Sequence, residues 1–163
     1  MATMTSLDRI DLEILGHLQN NGRIANKQLA RLVGLAPSTC LTRVRRLIES
    51  GVVRGVRSDL DPAHLGVGLE ALLAVRLEHH RRDAVESFID YVMTLDEVVA
   101  VLHIAGPTDV LVHVAVRDGN HLRELAMDAF ATRPEVDRFE TSLLYRRREK
   151  GYSALLGGAE IRS

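Results

Sequence analysis

Ser38, Thr39, Thr42, Arg43 and Arg46 have the types and spacing to touch nucleic acid. At roughly 100° per residue they fall on one side of a helix, with Arg45 at its border. Leu41, Val44, Leu47 and Ile48 fall on the other side, with Cys40 beside them. Small hydroxyl residues come first and arginines follow, which suits a helix whose N-terminal part enters a major groove. Hydroxyls approach base edges closely, and arginine can grip guanine bidentately or neutralise phosphate. The plainer alternative is an amphipathic helix with a basic solvent face. Arg54 and Arg57 follow in a weakly alternating run, Val52 to Arg57, that reads as a short strand. They would touch phosphates as a wing or simply be exposed on a connector. Lys27 and Ser38 are placed toward phosphate.

The elements that must hold this surface are three short helices. Leu7, Ile10, Ile14, Leu15 and Leu18 repeat at helical spacing, with Thr5 and Ser6 as caps and Asp8 and Asp11 suited to the helix dipole. Asn20-Asn21-Gly22 stops that helix. A second helix is predicted from about Asn26 to Val33, with Gly34 as its C-cap. Pro37 suits the first position of the third, which ends near Gly51. Two helices joined by a short Gly-containing turn form a helix-turn-helix.

The remainder reads as strand, helix, strand, strand, helix, strand. Leu69 to Glu78 alternates as a strand. Val85, Phe88, Ile89 and Val92 are helical, opened by Asp83 and Glu86. Val98–Ala105 and Val110–Val116 are β-rich runs joined by the turn Gly106-Pro107-Thr108-Asp109. Leu122, Leu125, Ala126 and Ala129 are helical with Asn120 as cap, and Val136–Tyr145 is the last strand. Two β-α-β halves predict an α+β, ferredoxin-like βαββαβ sheet with both helices on one face. A water-facing second face would be polar, yet both central runs are apolar at nearly every position. A second copy of the chain is the expected cover, hence a homodimer. The alternative cover is the tail, 149–163.

Composition narrows the classes. The 163 residues are 46% apolar, enough for a packed core and against disorder. No apolar stretch is longer than Ala71–Val75, far short of the roughly 20 residues that span a membrane. No signal-peptide pattern opens the chain, and one cysteine excludes an internal disulfide framework. The cytoplasm is the expected compartment. Arg23 to Arg57 holds eight basic residues against Glu49 alone, within a chain of net charge −1. A basic segment joined to an acidic one is the electrostatic footprint of nucleic-acid binding.

Other chemistry is weak. Cys40 reads as a small core residue. His79-His80 lies before Arg81-Arg82 without a metal-spaced ligand set, and His103 and His113 read as packed or interface residues. Gly66-x-Gly68 lacks the third glycine of a dinucleotide fingerprint. No catalytic residue, metal site or cofactor is expected.

Taken together, these motifs resemble those of Lrp/AsnC (feast/famine) transcriptional regulators. Leu7-Asp8-Arg9-Ile10-Asp11-Leu12-Glu13-Ile14-Leu15 is similar to the family's LD-x-x-D-x-x-I-L opening. Gly22-Arg23-Ile24 and Gln28-Leu29-Ala30 resemble its second helix, and Leu35-Ala36-Pro37-Ser38, Arg43 to Leu47 and Gly51-Val52-Val53 its recognition helix and exit. Gly106 to Asp109 resembles its G-x-x-D turn and Thr141 its last-strand threonine. Two departures are Ala25 and Ala36, where members often carry serine at helix N-caps and loss of a hydroxyl costs ~1 kcal/mol.

The resemblance implies a winged helix-turn-helix domain (1–51), a wing strand and linker (52–68), a ferredoxin-like effector-binding and oligomerisation domain (69–150), and a tail (151–163). It implies double-stranded DNA as partner, homodimers assembling to higher oligomers such as an octamer, and a small effector, usually an amino acid. Carried over, the effector site would include Ala105, Gly106, Pro107, Thr108 and Asp109, with Thr141 and Ser142. Turn N–H groups can hold a carboxylate and Asp109 an ammonium; alternatively Asp109 only bonds backbone to make the turn. The competing functional class is an amino-acid-binding module or enzyme without a DNA role.

Overall fold

The computed structural model describes residues 6–78 and 82–149. They form two compact units, one reaching Asp59 and the other spanning Leu60–Arg148. His79, His80, Arg81 and the tail from residue 150 lie outside the described residues, so the expectations placed on them are not taken further.

The first unit holds α1 (Arg9–Asn20), α2 (Asn26–Leu32) and α3 (Pro37–Glu49). Thr5 lies outside the described residues, and Asp8, not Ser6, caps α1. Its carboxylate accepts from Asp11 N–H at 2.8 Å, and the Asp11 carboxylate accepts from Asp8 N–H at 3.1 Å. This reciprocal capping box satisfies two of the helix's orphan donors. α2 ends at Leu32, and Gly34 takes the left-handed conformation (φ 67°) that turns the chain toward α3. Leu35 N–H then closes on Ala30 O at 2.9 Å. Ala25 and Ala36 sit at the N-caps of α2 and α3 with no side-chain bond, as their types dictate. Asn26 Nδ2 donates to Pro37 O at 2.8 Å, tying the first turn of α2 to that of α3. Ile14, Leu29, Ala30, Val33, Cys40 and Leu47 are the buried core. Burial raises the Cys40 thiol pKa, in keeping with a core residue.

Residues 52–57 form no strand. Val53 N–H donates to Leu47 O and its side chain packs on the helical core, while Val56 is exposed. A strand needs a partner edge, and every described strand belongs to the other unit.

In the second unit, β1 (Leu69–Leu77), α4 (Arg82–Val92), β2 (Val98–His103), β3 (Val110–Val116), α5 (Gly119–Leu125) and β4 (Val136–Leu143) follow in βαββαβ order. The strands lie β2-β3-β1-β4, all antiparallel. Gly68 leads into β1 where its Cα nears the Arg117 carbonyl, and a Cβ there would stand 2.3 Å from that oxygen. Asp118 caps α5 by accepting from His121 N–H at 2.9 Å, two residues before the expected Asn120. That bond holds the Asp118 carboxyl below its ordinary pKa. α5 runs into a π-helical turn, Ala126–Ala131.

Register assigns the faces. Leu73 pairs with Val112 and Thr141, and Val75 with Val110 and Phe139, on the side packed against Val85, Phe88, Val92 and Phe130. Leu72 pairs with His113 and Ser142, and Ala74 with Leu111 and Glu140, on the opposite side. On β2, Leu102 pairs with Leu111 and is 47% exposed. Apolar side chains thus occupy both faces, as expected, and the helices cover only one. No helix among the described residues is long and apolar enough to cross a membrane.

Candidate nucleic-acid interface and effector turn

Ser38, Thr39, Thr42, Arg43 and Arg46 come together on α3 around an open concavity of about 460 Å³. Ser38 and Thr39 are exposed, while Thr42 Oγ donates to Ser38 O at 3.0 Å. That bond turns the Thr42 hydroxyl proton inward and leaves its oxygen lone pairs and methyl group to meet a ligand. Lys27 on α2, Arg45 on α3, and Arg54 and Arg57 beyond it are all exposed.

The two interior arginines are not simply solvated. Arg43 Nη1 donates to Asp8 Oδ2 at 2.6 Å and to Asp11 Oδ1 at 2.9 Å, and Arg46 Nη2 donates to Asp11 Oδ2. Asp11 is fully buried, while the Arg43 and Arg46 side chains keep 26% and 48% of their surface exposed. Asp11 is therefore the dry centre of the cluster, and Asp8 stands with the two arginines at its wet rim. Sequence reading gave Asp8 and Asp11 only a dipole role. The signal that could have exposed the cluster is spacing: two carboxylates three apart on one helix, two guanidiniums three apart on another.

The Asp11 N–H bond, then the Arg43 guanidinium, hold the Asp8 carboxyl below its ordinary pKa of 3.8. A depressed folded-state pKa contributes stability above the unfolded value that is lost as pH falls through the folded one. The melting temperature of the first unit should therefore drop below about pH 4. Asp8→Asn, which keeps the capping oxygen, should flatten that acid limb in a circular-dichroism melt series. Superimposable limbs would contradict this account.

The second set of candidates lies in the other unit and does not form one cluster within a chain. Ala105, Gly106 and Pro107 are exposed on the β2–β3 turn, and Thr108 and Asp109 are half-buried. Asp109 anchors that turn: its N–H donates to Val75 O at 3.0 Å, and its Oδ2 accepts from Leu77 N–H at 2.9 Å. Arg76 Nη1 donates to Pro107 O at 2.8 Å. Thr141 and Ser142 pair with Leu73 and Leu72, so they belong to opposite faces of β4. Thr141 lines a shallow groove of about 320 Å³ with Gly119, Leu122, Arg123, Ala126, Met127 and Phe139.

Two histidines pair with carboxylates that sequence reading passed over. His113 Nε2 lies 2.5 Å from Glu70 Oε2 on the helix-free face, and His121 Nε2 lies 2.9 Å from Glu97 Oε1. Among the described residues, no three or more His, Cys, Asp or Glu come together as a metal site would require.

A family model described as winged helix-turn-helix DNA-binding matches residues 7–54. A second, described as the Lrp/AsnC ligand binding domain, matches residues 70–153. The HTH-type transcriptional regulator AldR of Mycolicibacterium smegmatis is 43% identical over 139 residues, covering 85% of this chain and 81% of the relative. The leucine-responsive regulatory protein of Escherichia coli K12 is 36% identical over 135 residues, covering 83% and 82%. The crystal structure of a Neisseria meningitidis transcriptional regulator in complex with L-Met superposes with a TM-score of 0.82 at 31% identity, covering 91% of this chain and 96% of that one.

Proposed function

Since this chain belongs to the Lrp/AsnC family of transcriptional regulators, and is a regulator rather than an enzyme, we propose that α3 reads duplex DNA while the second unit binds a free amino acid that biases self-assembly. The observation that carries the DNA half is the exposed α3 surface. Hydroxyls of Ser38, Thr39 and Thr42 stand at its N-terminal end, with partly exposed arginines one turn further. Lys27, Ser38, Arg54 and Arg57 are assigned to phosphate, and Thr39, Thr42, Arg43 and Arg46 to base edges.

The assembly half rests on the helix-free sheet face. Leu72, Ala74, Leu102 and Leu111 form an apolar surface against which a second copy can pack, giving homodimers and, through further surfaces, larger assemblies such as an octamer. The effector is placed at the turn 105–109. Exposed backbone there can meet a carboxylate, and Asp109 serves as the turn's anchor rather than the main ligand contact. A structurally similar regulator was solved with L-Met, which supports an amino acid as the class. Thr141 and Ser142 can both contribute only where two chains meet, because they belong to opposite faces. The cytoplasm is the matching compartment.

A ligand shifts assembly only by binding one state better than another. Gel retardation on DNA upstream of the chain's own coding region should show a complex that weakens steeply with salt. In the same preparation, one or more amino acids should raise the melting temperature by mass action and change the mass seen by light scattering. Absence of retardation at low salt together with turnover of an amino acid would favour the competing module without a DNA role.

A further inference from the structure

We propose that Asp8 and Asp11 are positioning residues for sequence reading, fixing Arg43 and Arg46 so that α3 discriminates bases instead of gripping phosphate indiscriminately. The inference rests on the reading of α3 as the DNA-contacting helix. Its basis is the cluster itself: Arg43 bridges Asp8 and Asp11 at 2.6 and 2.9 Å, and Arg46 donates to the second Asp11 oxygen. Asp11 is fully buried and its Oδ2 also accepts from Asp8 N–H, which ties the carboxylate to the start of α1. Two guanidiniums held by one immobile carboxylate cannot swing freely.

Each guanidinium has five N–H donors. The cluster takes two from Arg43 and one from Arg46, so donors remain for a ligand on the wet side. Its charge is what distinguishes it from an ordinary basic face. Two carboxylates offset the two arginines that line the concavity, which removes much of the unspecific attraction to phosphate. Exposed Lys27, Arg45, Arg54 and Arg57 keep their charge outside it. Orientation is retained where bidentate contact needs it, and long-range pull is left to the periphery. Loosening the arginines should therefore strengthen unspecific binding and weaken discrimination together. A merely structural ion pair cannot produce that pairing of effects, since its loss would weaken every DNA complex.

The test uses the full chain, Asp8→Asn and Asp11→Asn. Two probes serve: the duplex that the unaltered chain enriches from a randomised pool, and poly(dI-dC). Asp11→Asn should bind poly(dI-dC) more tightly, with a salt slope steeper by about 1–2, one per released arginine. Its preference for the enriched duplex should fall about tenfold, the loss of one base contact. Asp8→Asn should move both readouts the same way by less, and it keeps the cap oxygen even where Asp11→Asn proves too unstable. Unchanged slope and preference, or parallel weakening on both probes, would overturn the proposal. Failure of the unaltered chain to bind either probe would instead remove the DNA reading beneath it.

Discussion

Converting Arg43 and Arg46 together to methionine should destabilise the first unit by about 3–5 kcal/mol, the range for breaking a buried ion pair. Methionine keeps an apolar stem of similar length and good helix propensity, so the change isolates charge. The loss falls on Asp11. With both guanidiniums gone, its fully buried carboxylate retains only Asp8 N–H as a described partner. The reverse deletion differs, because the arginines are partly exposed and can turn to water when Asp11 is removed. Adding Asp11→Asn to the double variant should therefore recover a large part of the lost stability in urea unfolding. A triple variant no more stable than the double would show that the loss came from stem packing. An affinity loss in arginine variants is interpretable as lost base contact only after the folded fraction is known.

Much of this architecture is legible from residue type and spacing. The period-two pattern of β1 groups Ala71, Leu73, Val75 and Leu77 on one face, and all four are buried. Pro37 after Gly34 marks the start of α3 to the residue. What escapes is whatever depends on contacts between distant segments. Asp11 and Arg43 lie 32 residues apart, and no local pattern says that their helices present them to each other. Thr141 and Ser142 look equivalent as neighbours, yet the pairing register sends them to opposite faces. The alternation across 52–57 suggested a strand because local patterning cannot register the absence of a partner edge. Caps shift for a related reason: Asp8 and Asp118 are the positions whose side chains accept an N–H of the helix's first turn.

Phe130 carries the second large effect. Leu122, Leu125, Ala126 and Ala129 trace a helical stripe, and Phe130, four residues after Ala126 and eight after Leu122, continues it. Within the π-helical turn Ala126–Ala131, Phe130 packs on the sheet with no exposed surface. Its ring centroid lies 6.2 Å from Phe88 in an edge contact and 6.1 Å from Phe139. Phe130→Ala should therefore lower the stability of the second unit by about 3–5 kcal/mol, the transfer and cavity cost of a buried aromatic. The loss should be local. The two buried clusters share no residue, so hydrogen exchange should accelerate across β1, β3 and α4 while α1–α3 amides stay protected. On the proposed effector site, amino-acid stabilisation should weaken in step, because the turn at 105–109 is anchored on β1 through Asp109. Equal loss of protection in both units would mean that they unfold as one, and that regulation by the second unit needs no signal other than shared stability.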